Sequence, residues 1–169
     1  MAGAGQKLPP MNKRALIQKI VARLTEELQV YFRAAQFARA EATHESSKAE
    51  NKYDTRGLEA SYLARGQSKQ AAELETAIAE FEKLPVKKFA ADEPIGLGSL
   101  VELEHAGENS FYFIGPRAGG TEIAHNKKEI LVITPSSPLG GQLMGKKRGD
   151  RPRLNFGGAK QPAQIVRVE

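Results

Sequence analysis

From Asn12 to Thr43 the chain contains neither glycine nor proline, and this uninterrupted run constrains the fold more than any other feature. Small or apolar residues recur along it at Leu24, Leu28, Tyr31, Ala35, Ala38 and Ala42, in alternating steps of four and three. That is the repeat of a helical seam packed against a partner helix. Leu16, Ile17, Ile20 and Val21 widen the apolar stripe at the start of the run, as expected where a hairpin docks onto something larger. A second segment, from about Glu50 to Leu84, carries a matching seam. It reads backwards from Phe81 through Ile78, Leu74, Ala71, Gln67, Ala64, Ala60, Gly57 and Tyr53. Pro85 closes the segment, because proline disfavours helical conformation in the residue before it. Gly57 and Gly66 each cost a helix about 1 kcal/mol relative to alanine, which implies close helix approach or local flexibility there.

Two segments of similar length predict an antiparallel helical coiled-coil hairpin over residues 12–84. The midpoint falls near Ser47, so Ser46–Ala49 is the expected turn, with a serine available to cap the second helix. Seam residues grade from Leu, Ile and Phe at the base to Ala and Gly near the tip, so the hairpin should narrow. At ~1.5 Å per residue, arms of roughly 33 residues reach about 50 Å. The tip, Thr43–Asp54, holds Glu45, Glu50 and Asp54. One further step along the first seam lands on Glu45, and one further step back along the second lands on Glu50. The two carboxylates would then face each other across the turn. Exposed carboxylates cannot by themselves hold Mg²⁺ tightly, but they could complete a metal site supplied by a partner. The plain alternative is that they keep the tip soluble.

After Pro85 the texture changes. Residues 85–93 read as a charged linker, and residues 94–169 as a small β-sheet domain with one short helix, giving an α+β chain. Ser99–His105 alternates apolar and polar residues, Ser110–Ile114 is short and aromatic, Ile130–Ile133 is continuously apolar, and Ala163–Val168 alternates again. Gly107–Asn109 and Gly157–Gly158 read as hairpin turns. Ser137-Pro138 opens a short helix over Leu139–Met144, with proline at a favoured first-turn position. A two-helix hairpin has a thin core, so most folding stability is expected from this second domain.

Composition removes several function classes. The chain has no cysteine, so disulfides and thiolate metal sites are excluded. No apolar run approaches the ~20 residues of a membrane helix. The opening MAGAGQKLPP lacks the hydrophobic core of a signal peptide, so residues 1–11 are expected to be a disordered extension and the protein cytoplasmic. His44, His105 and His125 are scattered, without the spacing of a helical metal pair. No serine sits in a Gly-x-Ser-x-Gly elbow. A free-standing enzyme is therefore not expected. Net charge is +5, and the densest basic run is KKRGDRPR, with Lys146, Lys147, Arg148, Arg151 and Arg153. It could meet nucleic acid or an acidic protein surface, or be a solvated loop. Aromatic residues are not interleaved with it, which weakens a single-strand reading.

The stretch Ile133-Thr134-Pro135-Ser136-Ser137-Pro138-Leu139-Gly140, followed by Leu143, Gly145-Lys146 and Gly149-Asp150, resembles the signature near the end of the bacterial GreA/GreB transcription elongation factors. The terminal Ile165–Glu169 looks similar too, and the resemblance extends from about Met11 onward, more specific in the C-terminal half. It implies an FKBP-like C-terminal domain that docks on RNA polymerase at the rim of its secondary channel, with the hairpin entering that channel. By matching the family's Ser-Pro segment, Ser136, Ser137, Pro138 and Leu139 would form the docking segment. Two tip carboxylates of the family's cleavage factors help bind the polymerase's second Mg²⁺ and position a water, so that a backtracked transcript is hydrolysed. Glu50 is the first choice for that role here, Glu45 the second and Asp54 the third. The partners implied are RNA polymerase and the nascent RNA 3′ end, with weak DNA contact a further expectation. The chain would be a monomer holding no metal of its own and sharing the polymerase's Mg²⁺. The tip departs from the family's pattern of Asp, then Glu-Asn three residues later, then Tyr. Glu50-Asn51 matches, but Ser47 stands where the family has Asp, and Tyr53 is one residue closer than expected. A factor that occupies the channel and inhibits polymerase without cleavage is therefore the alternative.

Overall fold

The computed structural model describes residues 10–43, 56–90 and 92–169. Helix α1 spans Lys13–Thr43 and helix α2 spans Arg56–Glu82, 31 and 27 residues respectively. Asn12 starts α1 as a side-chain cap, its Oδ1 accepting the Ala15 amide at 3.1 Å. The expected turn at Ser46–Ala49, together with Glu45, Glu50 and Asp54, lies outside the described residues.

The heptad seam is the buried line of the hairpin. Along α1, Leu24, Ala35 and Ala38 are buried, with Leu28 and Tyr31 half-buried between them. Along α2, Ala64, Ala71 and Phe81 are buried, with Gln67 and Leu74 between. Near the end of α2, Ala77 is buried and Ile78 only partly so, which turns the buried face slightly from the expected register. Toward the end of α1, Arg39 Nη2 donates to Ser68 Oγ at 2.9 Å, joining the two helices where the seam is alanine. Ser68 in turn donates to the Ala64 carbonyl at 2.9 Å.

The chain divides into two compact units, Ile20–Lys83 and a second one built from residues up to Lys19 together with Leu84–Glu169. The first two turns of α1 thus belong to the β-containing unit. Its main sheet has five strands: β1 (Leu100–His105), β2 (Glu108–Ile114), β3 (Glu122–His125), β4 (Lys128–Ile133) and β7 (Gln164–Val168). Their order is β3-β4-β2-β1-β7, with β2 and β4 parallel and every other pair antiparallel. Helix α3 (Pro138–Leu143) follows β4, and a separate ribbon of β5 (Arg153–Phe156) and β6 (Ala159–Pro162) precedes β7.

Alternation along the strands divides the buried side chains between the two faces of the sheet. On one face Val101, Leu103, Ile114, Ile133 and Ile165 form a core with Leu143 of α3 and Leu154 of β5. On the other, Leu100, Phe113, Ile123, Ile130 and Val132 are buried. Leu16 and Ile17 of α1 are buried as well, and Lys19 Nζ donates to the Ala124 carbonyl at 2.9 Å.

Two turns differ from the sequence expectation. The β1–β2 turn is Ala106-Gly107, with φ of +52° and +82°, and Glu108 already pairs with His105. A two-residue turn with both central residues at positive φ matches the twist of the strands it joins, so Glu108 and Asn109 are strand rather than loop. Asn126-Lys127 makes the same kind of turn, with φ of +50° and +60°, and creates the unexpected strand β3. The Gly157-Gly158 turn is found as expected, between Phe156 and Ala159. Helix α3 begins at Pro138 with Ser137 as its cap, also as expected. Among the described residues no helix is long and apolar enough to cross a membrane.

Candidate functional site

The segment between β4 and α3 is built around one backbone oxygen. The Thr134 carbonyl accepts the Ser137 amide at 3.0 Å and the Ser137 hydroxyl at 2.8 Å. The same hydroxyl accepts the Gly140 amide at 3.1 Å, so Ser137 closes the turn and caps α3 together. Pro138 occupies the first helical turn, where its missing N–H costs nothing. Gly140 is dictated by this packing, because a Cβ there would sit 1.9 Å from the Thr134 oxygen and 2.8 Å from Ser137 Oγ. Thr134 Oγ1 and Ser136 Oγ are hydrogen-bonded at 3.1 Å.

The four residues expected to dock therefore differ in what they can offer. Ser136 and Pro138 are exposed, whereas Ser137 is half-buried with its hydroxyl engaged inside the turn. Leu139 packs against the sheet core. Beside this turn runs the loop Gly115–Thr121, pinned to β4 by Gly115 N to Ile133 O and Gly120 N to Val132 O, each 2.8 Å. The two loops follow the C-terminal ends of the parallel strands β2 and β4 and are both hydrogen-bonded to β4 or its continuation.

Tip carboxylates Glu45, Glu50 and Asp54 lie outside the described residues. Among the described residues no group of three or more His, Asp or Glu side chains is placed to hold a metal. A shallow groove of about 220 Å³ lies along the hairpin between Phe32, Gln36 and Arg39 of α1 and Ser68, Ala72 and Glu75 of α2.

Among the described residues three ionisable side chains are buried without having been expected from the sequence: Lys13, His125 and Glu102, the last of which accepts the Asn109 side-chain amide at 2.8 Å. Lys13 is 6% exposed. Its ammonium donates to the Lys87 carbonyl and to the Gly98 carbonyl, the latter at 3.2 Å, and lies 4.6 Å from the centre of the Phe89 ring. Burial lowers its pKa to about 8, reinforced by Lys87, while Glu169 and Glu93 pull the other way. The signal was present, since Lys13 stands in the apolar stripe with Leu16, Ile17 and Ile20 at helical spacing. His125 is buried at the end of β3 with neither ring nitrogen hydrogen-bonded. Burial lowers its pKa, and the Lys19 charge adds to that. The alternation Ile123-Ala124-His125 places it on the inward face, but that pattern is visible only once β3 is known to exist.

No protein-family model matches the chain. Among curated proteins, transcription elongation factor GreA of Streptococcus suis strain 05ZYH33 is 30% identical over 103 residues, and the same factor from strain 98HAH33 matches equally. The match covers 59% of this chain and 59% of the length of those relatives. Among solved structures, GreA factor homolog 1 (Gfh1) of Thermus thermophilus is 24% identical, with 88% of this chain and 94% of that one covered at a TM-score of 0.37. Gfh1 of Thermus aquaticus is 26% identical, with 87% and 92% covered at a TM-score of 0.39. The resemblance to the GreA/GreB factors that rests on the Ser-Pro-Leu-Gly segment is thus matched by similarity across 103 residues of sequence.

Proposed function

We propose that the chain is a transcription elongation factor of the GreA kind, which binds RNA polymerase and acts through the polymerase's own active site. The observation that carries this reading is the 30% identity to GreA over 103 residues. Two further features support it. The chain pairs a long helical hairpin with a compact β-containing unit. A hydrogen-bonded turn with Ser136 and Pro138 exposed lies where the resemblance places docking.

The division of labour follows from the chemistry of each part. Ser136 and Pro138 meet the polymerase rim, while Ser137 and Gly140 hold the turn that presents them. The hairpin enters the secondary channel. The part of α1 that lies in the hairpin unit, Ile20–Thr43, is about 36 Å long, a reach suited to delivering side chains into a deep channel. At the tip Glu50, with Glu45 and Asp54 as lesser candidates, completes the coordination of the polymerase's second Mg²⁺. Two-metal hydrolysis needs one ion to generate the attacking hydroxide and one to stabilise the leaving oxygen. A carboxylate donated in trans raises the occupancy of the weaker ion. On this reading the polymerase supplies the remaining ligands and carries out the hydrolysis.

The test is a stalled, backtracked elongation complex to which the chain is added. Shortening of the RNA from its 3′ end is expected, with loss of that shortening in Glu50→Ala at undiminished polymerase binding. Cleavage by Glu50→Ala equal to that of the parent would refute the assignment of Glu50.

A second reading is favoured by Ser47, which stands three residues before Glu50 where the family's cleavage factors carry Asp. With one acidic ligand of the pair missing, the factor occupies the channel and inhibits. It then competes with a cleavage-active GreA yet releases no short RNA, and the same assay separates the two readings.

A further inference from the structure

The net charge of the chain is concentrated in one short stretch. Residues 146–160 carry Lys146, Lys147, Arg148, Arg151, Arg153 and Lys160 against the single carboxylate of Asp150. That excess of five equals the net charge of +5 for the whole sequence, so the remaining 19 basic and 19 acidic residues balance. A balanced protein with all its excess on one segment has a directed field rather than a uniformly basic surface.

The structure holds this segment rigidly. Gly145 N donates to the Ile95 carbonyl at 2.9 Å and Ile95 N to the Lys146 carbonyl at 2.7 Å. Gly149 N donates to the Ile165 carbonyl at 2.8 Å, Ile165 N to the Asp150 carbonyl at 2.9 Å, and Ala163 N to the Pro152 carbonyl at 2.9 Å. The basic segment is thereby laced along the outer edge of β7 and runs directly into the β5–β6 ribbon. Asp150 offsets one of these charges, and its carboxylate accepts the Lys147 backbone amide at 2.8 Å and closes the turn. Lys147, Arg148, Arg151, Arg153 and Lys160 are exposed, and among the described residues none of them forms an ion pair. Register pairs Arg153 with Pro162 and Asn155 with Lys160, so Arg153, Asn155 and Lys160 share the outward face of the ribbon. Leu154, on the inward face, is buried in the core.

From this arrangement we infer that the segment and its ribbon form a binding surface for the phosphate backbone of duplex DNA. An acidic protein partner fits less well, because protein interfaces are built around a desolvated apolar centre. Here the exposed side chains between Lys147 and Lys160 offer none: Leu154 is buried, and Phe156 is half-buried and stacked on His105 with ring centres 4.4 Å apart. Single strands fit less well for the same reason, as no free aromatic face is offered for a base to stack on. Duplex RNA is disfavoured by groove shape. The wide major groove of B-form DNA admits a two-stranded ribbon, whereas the A-form major groove is deep and narrow. None of residues 146–160 has a part in the function proposed above, so the inference goes beyond that function and stands without it.

The experiment is fluorescence anisotropy of the full chain with a labelled 20-base-pair DNA duplex across a salt series. Neutralising about four phosphates predicts roughly a tenfold loss of affinity for each doubling of salt. A triple variant, Lys147→Ser with Arg148→Ser and Arg151→Ser, should bind at least about tenfold more weakly at the same salt and show a flatter salt slope. Those three side chains take no part in the hydrogen bonds that hold the turn, and an unchanged circular dichroism spectrum checks this. A control variant removing three exposed cations elsewhere, Arg14→Ser with Arg23→Ser and Lys83→Ser, should keep most of the binding. The proposal is overturned by any of four results: no DNA binding at low salt, equal binding by the triple variant, equal loss in the control, or tighter binding of an RNA duplex or of polyglutamate.

Discussion

Lys13 shows how one residue can tie an ionisation to the fold. Its ammonium is held among the carbonyls of Lys87 and Gly98 and the face of Phe89, which solvate it less well than water. Its pKa of about 8 in the folded chain lies below its ordinary value of 10.5. Between those two values the unfolded chain binds the proton and the folded chain does not, so folding stability rises with pH across the window. The gain is complete above the unfolded value and is lost as pH falls through about 8. Lys13→Met, which keeps the length of the stem but carries no charge, is expected to abolish this rise. Urea midpoints at pH 7.5 and pH 10 should separate by an amount corresponding to about 2–3 kcal/mol in the parent relative to the variant. Parallel curves for the two proteins would show that Lys13 is not the titrating group.

Among the elements, helix α3 and the turn before it make the sharpest case, because local sequence and tertiary packing agree there. Ser137 as cap, Pro138 in the first turn and Gly140 against the Thr134 carbonyl each have one task. Gly140→Ala should cost on the order of 3 kcal/mol, since the added carbon meets backbone rather than a movable side chain. Ser137→Ala should cost about 1 kcal/mol, the worth of a helix cap. Thermal denaturation of the two variants checks both the size and the order; equal effects would place the strain elsewhere. This helix was legible in the sequence, as were the seams of α1 and α2, because their signals are local and periodic. Strand β3 was not. It depends on Asn126-Lys127 adopting a left-handed turn with no glycine to announce it. The turn at Ala106-Gly107 was displaced by one residue because Gly107-Glu108-Asn109 looks more turn-like than Ala106 does. Of the candidate site, the Ser-Pro segment could be found by pattern. The internal engagement of Ser137 could not, since it depends on where the Thr134 carbonyl points.

At the scale of the whole molecule, the two compact units do not follow the order of the chain. The β-containing unit draws on the first turns of α1 as well as on Leu84–Glu169. Leu16 and Ile17 in those first turns are buried, and burying side chains of that size contributes about 1.5–3 kcal/mol each. A fragment of residues 84–169 should accordingly unfold at lower urea than a chain in which residues 10–19 are linked to it. Equal midpoints would mean that the first turns of α1 merely rest on the unit.

Hydrogen bonds from Met11 to Glu169, from Lys13 to Gly98 and from Lys19 to Ala124 span 158, 85 and 105 positions of sequence. In a growing polypeptide the first of these partners emerges long before the second. At roughly 5–20 residues per second, the ribosome needs on the order of 10 s to supply the last of these partners. For that interval the Met11 amide and the ammonium groups of Lys13 and Lys19 have only water as a partner in place of these acceptors, so the first turns of α1 are the earliest part of the β-containing unit to be made and the last to be secured.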